Sequence, residues 1–179
     1  MITLQQKYDW LQLVFTDHVD CEPEAFYFDR SDNVFFSVFL PDTWLGYPEA
    51  RSEIYGQSVE EFERFVKKVE RLENGDPEII RVPQLTIEDR KTLLQDFLYE
   101  EQIQDIAFLQ KFVEDENGSS ELNFDNKLNT SYKVKWETFK ATFVGAYIDN
   151  FCLNNDIQLE TATIFSNEKL TKLKSELKT

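Results

Sequence analysis

The segment FYFDRSDNVFFSVF, residues 26–39, restricts the fold of this chain more than any other, because it holds five phenylalanines and one tyrosine. Its two apolar runs are separated by DRSDN, which predicts a β-hairpin with a turn longer than two residues. Both faces of the second strand are apolar, with Val34, Phe36 and Val38 on one face and Phe35 and Phe39 on the other. Such a strand is typical of the covered centre of a sheet.

Most of the remaining chain is patterned as helix. Apolar residues recur every three or four positions over 3–16, 58–73, 86–98, 103–113, 132–154 and 166–179. Thr86 is the expected N-cap of the third of these helices. Residues 78–85 predict a short strand, and 158–165 either a fourth strand or an extended arm. The sequence therefore predicts an α+β fold, in which a small antiparallel sheet (the hairpin and one or two further strands) packs against five to six helices.

A chain of 179 residues is long enough to bury a core of its own, and we expect a single α+β domain over 1–179. The segment 114–131 is polar and predicts a mobile loop, for which Leu122, Phe124 and Leu128 are possible tethers. The C-terminal helix over 166–179 has only a narrow leucine stripe and is expected at the periphery of the domain.

The net charge of −15 is unevenly distributed along the sequence. Residues 1–126 carry 28 acidic and 11 basic side chains, whereas residues 127–179 carry 6 and 8. An acidic surface repels phosphate backbones, so the composition argues against nucleic acid as a partner. No apolar run reaches the length of a membrane span and no signal peptide is recognised, so we expect a cytoplasmic protein without a membrane partner.

No set of residues in the sequence indicates catalysis, a cofactor or a metal. His18 and Cys21 have the spacing of a possible dyad, but their neighbours are acidic and would raise the pKa of the thiol. The five glycines are isolated, and the carboxylates of 114–125 do not follow the pattern of a calcium loop. We therefore predict no catalytic, cofactor-binding or metal-binding residues, which favours a protein that is not an enzyme.

The candidate interface consists of aromatic side chains. Phe35 and Phe39 form the second face of the hairpin, which either a helix of this chain or a partner could cover. Trp44 and Tyr47 lie in a loop rich in proline and glycine, and aromatic residues in such loops often anchor protein interfaces. Alternatively, these two rings fold back onto the sheet as part of the core.

Four segments of the sequence carry a resemblance to a known family: FYFDRSDNVFF, IIRVPQLTIEDRKTLLQDF, NFDNKL and WETFKATFVGAYIDNFCLNNDI. With these in order, the chain resembles uncharacterised protein family 0158, a bacterial family without an established activity. The resemblance implies the order of the elements and gives no catalytic residue. The basic run that the family has near NFDNKL is missing from this chain.

Three functions agree with these observations. The first is a non-enzymatic protein-interaction module of the cytoplasm that binds a protein partner or forms a homodimer. The second is an acidic inhibitor or nucleic-acid mimic, whose carboxylates imitate phosphates and bind a basic partner protein. The third is a hydrolase that uses carboxylates alone, although no spacing singles out two of the 34 acidic residues.

Overall fold

The computed structural model describes residues 2–16, 24–39, 59–101, 111, 113, 114, 122, 128 and 130–165. In chain order the elements are α1 (Leu4–Thr16), β1 (Glu24–Asp29), β2 (Val34–Phe39), α2 (Val59–Glu73), β3 (Ile79–Arg81), α3 (Ile87–Glu100), α4 (Thr130–Asn154) and β4 (Thr163–Ile164). The predicted α+β class is confirmed. Five to six helices were predicted, whereas the described residues contain four. The helices expected over 103–113 and 166–179 lie almost entirely outside those residues.

The sheet is mixed and has the strand order β3-β1-β2-β4. β1 and β2 form the predicted antiparallel hairpin, in which Tyr27 pairs with Phe36 and Phe28 with Phe35. β3 pairs with β1 in antiparallel orientation. β4 pairs with β2 in parallel, so the prediction of a purely antiparallel sheet is wrong. A tight hairpin forces antiparallel pairing, whereas the long connection from β2 to β4 allows the chain to return in either direction.

The turn of the hairpin, residues 30–33, lies within the predicted polar insert DRSDN, whose first residue, Asp29, ends β1. Asn33 has a φ of 52°, in the left-handed region that asparagine adopts more readily than other residues with a side chain. The amide of Asn33 donates to the carbonyl of Arg30 at 3.4 Å, and the carbonyl of Asn33 accepts a hydrogen bond from the amide of Thr163 at 2.9 Å. The turn therefore closes the hairpin and also holds the start of β4.

The chain divides into two compact units, of which unit 1 comprises Met1–Ile2, Pro23–Val82 and Ile157–Thr179, and unit 2 comprises Thr3–Glu22 and Pro83–Asp156. The whole sheet and α2 belong to unit 1. The other three helices belong to unit 2. The single-domain expectation stays a prediction.

In unit 1, α2 covers one face of the hairpin. Its apolar stripe brings Val69 against Phe36 and Val38 of β2, and Phe65 and Leu72 pack against the same cluster. The opposite face of β2 is also buried, since Phe35 has no exposed surface. The predicted central strand, apolar and covered on both faces, is confirmed.

In unit 2, α3 and α4 supply most of one core cluster. Thr86 is the N-cap of α3, as the sequence predicted, and it also forms a capping box with Asp89. The ring of Phe97 packs edge-on against Trp136 with 5.2 Å between centroids. Leu122 and Leu128, two of the expected tethers of the 114–131 segment, are buried in this cluster. α4 begins at Thr130, so the end of that predicted loop is helical.

Candidate functional site

The structure places the four candidate interface residues differently. Phe35 is fully buried, and its ring centroid lies 4.6 Å from that of Phe28 on the neighbouring strand. Its ring therefore contributes to the core of this chain and not to an exposed surface. Phe39 ends β2, and its side chain lies outside the described residues, as do Trp44 and Tyr47.

A group of charges in unit 1 surrounds Asp29, the last residue of β1. The carboxylate of Asp29 has no exposed surface. It accepts a hydrogen bond from Lys68 Nζ at 2.7 Å and two from Arg71, at 2.8 Å from Nη1 and 3.3 Å from Nη2. Lys68 and Arg71 are three residues apart on α2, so both cations reach the carboxylate from the same face of the helix.

A second ring of contacts fixes this cluster in place. The amide of Ser31 donates to Asp29 Oδ1 at 3.1 Å, which is the local turn that an aspartate favours before a chain reversal. Lys68 also pairs with Asp32, and Arg71 Nε donates to Asp76 Oδ2 at 2.7 Å. The cluster therefore ties three parts of unit 1 together: the hairpin turn, α2 and the loop before β3.

The electrostatics of Asp29 indicate a structural carboxylate. Burial raises the pKa of Asp29, but the hydrogen bonds and charges of Lys68 and Arg71 outweigh burial and hold the pKa below its usual 3.8. The two oxygens accept four hydrogen bonds in total, about as many as a carboxylate can accept. A carboxylate in this state is a weak base and has no lone pair directed at a substrate.

Unit 2 contains a comparable polar group around Asp89. Asp89 Oδ2 accepts hydrogen bonds from the amide and the hydroxyl of Thr86, at 3.0 and 2.6 Å, and Oδ1 accepts the hydroxyl of Tyr147 at 2.7 Å. Burial raises the pKa of Asp89, but these hydrogen bonds lower it below its usual value. The bond to Asp89, together with burial, raises the pKa of Tyr147 to about 12. Tyr147 therefore keeps its proton at neutral pH.

Arg90, the neighbour of Asp89, is also fully buried. Its guanidinium donates from Nε to the carbonyl of Leu85 at 2.9 Å, from Nη1 to that of Thr16 at 3.0 Å and from Nη2 to that of Phe15 at 3.4 Å. Two of these carbonyls belong to the last turn of α1, where the helix dipole favours a positive charge. Arg90 therefore holds the end of α1, and its donors are directed into the protein.

The sequence analysis predicted neither the buried group of Asp29, Lys68 and Arg71 nor the burial of Arg90. One signal was present for the first: Lys68 lies within the apolar stripe of α2, between Phe65 and Leu72. A buried lysine at such a position needs a nearby anion, and Asp29 directly follows the apolar and aromatic run 25–28 of β1. Within the described residues, no group of three or more histidine, cysteine, aspartate or glutamate side chains could hold a metal ion. Cys152 is buried, and His18 and Cys21 lie outside those residues.

The outward surface of α3 is the remaining candidate. Among the described residues, Tyr99 is the most exposed large apolar side chain at 85%, followed by Leu153 at 76% and Val134 at 69%, both on α4. Asp96 and Glu100 are also exposed. Asp96 precedes Tyr99 by three residues and therefore shares its face of the helix. We refer to Asp96, Tyr99 and Glu100 as the α3 outward face.

No family model, curated protein or solved structure matches this chain. None of the helices in the described part of the chain is both long and apolar enough to cross a membrane. The resemblance to family 0158 stays a prediction from the sequence.

Proposed function

We propose that this chain is a non-enzymatic protein-interaction module of the cytoplasm, which binds a protein partner or a second copy of itself. The observation that carries the proposal is the exposure of Tyr99, because 85% of a large aromatic side chain is in contact with water. Tyrosine is enriched among the residues that dominate binding energy, since its rigid ring offers a large contact area at a small cost in conformational entropy.

The electrostatics of Asp29 and Asp89 support a non-enzymatic protein. Asp29 and Asp89 are the two carboxylates with the most extensive hydrogen bonding in the described residues, and the pKa of each is lowered. General acid–base catalysis works best with groups whose pKa lies near the working pH, which requires a shift in the opposite direction. The membership in the bacterial family 0158 and the interface residues Phe39, Trp44 and Tyr47 remain part of this proposal on the strength of the sequence.

A second function, binding to a basic partner protein, is favoured by the neighbours of Tyr99. Asp96 and Glu100 add two exposed carboxylates to the α3 outward face of a chain whose net charge is −15. An aromatic ring beside carboxylates suits a lysine or arginine side chain, because the cation can lie over the ring and pair with the acids. In this version the module is an acidic inhibitor or nucleic-acid mimic.

The interaction module is tested by changing Tyr99 and a matched residue at a distance. We expect Tyr99→Ser to weaken self-association or partner binding by about 30-fold, corresponding to the ~2 kcal/mol of a dominant interface residue. Leu153→Ser is the control, since it also removes an exposed apolar side chain but lies on a different helix, near the C-terminal end of α4. Sedimentation equilibrium over a wide range of concentrations measures self-association. Quantitative affinity capture compares the amounts of bound partner proteins for the wild type, Tyr99→Ser and Leu153→Ser. A chain that stays monomeric and keeps every partner after Tyr99→Ser contradicts the proposal.

The basic partner is tested with an oligo-arginine peptide as the probe. We expect the double variant Asp96→Asn, Glu100→Gln to lose most of the peptide binding and most of its salt dependence. Glu63→Gln, Glu70→Gln makes the same change in net charge on exposed positions of α2 and serves as the control. Equal losses in the two double variants mean that only net charge attracts the peptide, and the α3 outward face is then not a specific site.

A further inference from the structure

We draw no further inference here: the strongest candidate, the α3 outward face with Tyr99 exposed between Asp96 and Glu100, belongs to the surface already proposed, and nothing in the structure shows what covers it.

Discussion

The substitution Asp29→Ala is expected to be strongly destabilising, because it removes the anion on which two cations converge. Asp29 has no exposed surface, and the side chain of Lys68 is only 6% exposed, so this ion pair is buried. Removing one partner of a buried pair costs about 3–5 kcal/mol, since the other charge is left without compensation. Lys68 retains Asp32, and the Arg71 side chain is 32% exposed to water, which places the expected loss near the lower end, about 3 kcal/mol.

The origin of this loss is tested with a second substitution, Lys68→Met. Methionine keeps the length of the lysine stem and fills similar space without the charge, so the double variant leaves no uncompensated lysine. We therefore expect the double variant to be more stable than Asp29→Ala alone, with a coupling energy of about 2 kcal/mol between the two positions. Lys140→Met is the control, because it breaks the pair of Lys140 with the exposed Glu137 and should cost only about 0.3 kcal/mol.

The assay is urea denaturation at pH 7, followed by far-UV circular dichroism, with the free energy of unfolding and the m-value fitted for each variant. A loss below about 1 kcal/mol for Asp29→Ala would refute the idea that the buried carboxylate of Asp29 compensates the charges of Lys68 and Arg71. So would a Lys68→Met substitution that costs the same in both backgrounds, because independent effects mean that the two side chains do not interact.

Three further predictions follow from the same contacts. Because the pKa of folded Asp29 is lowered, its stabilising contribution is present above the unfolded pKa of about 4 and is lost as the pH falls through the folded value. The stability difference between wild type and Asp29→Asn should therefore shrink below about pH 4 in urea melts, and a constant difference down to pH 2 would contradict this. Tyr147→Phe should cost about 1 kcal/mol and abolish the tyrosine that ionises near pH 12 in an absorbance titration; a wild-type titration that ends near pH 10 would be inconsistent with the bond to Asp89. Phe35→Ala should lower the free energy of unfolding by about 3–5 kcal/mol, as expected for a core ring, whereas unchanged stability would return Phe35 to the candidate interface.

Local features of this fold are readable in the sequence. The hairpin, the capped start of α3 at Thr86 and the long helix α4 are specified by residues within a few positions of one another. In these cases hydrophobic period and capping chemistry decide the structure, and both are properties of a short window. The central position of β2 was also predictable, because both of its faces carry apolar side chains.

Features that depend on distant partners could not be read in this way. The parallel pairing of Thr163 with Val34 joins residues that are far apart in sequence, and no local pattern encodes its direction. Asp29 and Arg90 are buried charged residues, a class that is rarely buried unless it is paired. Lys68, Arg71, Phe15 and Thr16, which pair with these two residues, lie on other elements, so the pairing depends on tertiary structure. For the same reason Phe35 could not be assigned to core or interface from its position in the strand.

The contacts of Arg90 also affect the order in which unit 2 can form during synthesis. α1 leaves the ribosome before α3, and the guanidinium that holds its final carbonyls is translated 74 residues after Thr16. A nascent helix of thirteen residues is marginally stable in water by itself. We therefore expect α1 to stay weakly structured until Arg90 has been translated. A chain released before that point would lack the hydrogen bonds that Arg90 donates to the last carbonyls of α1.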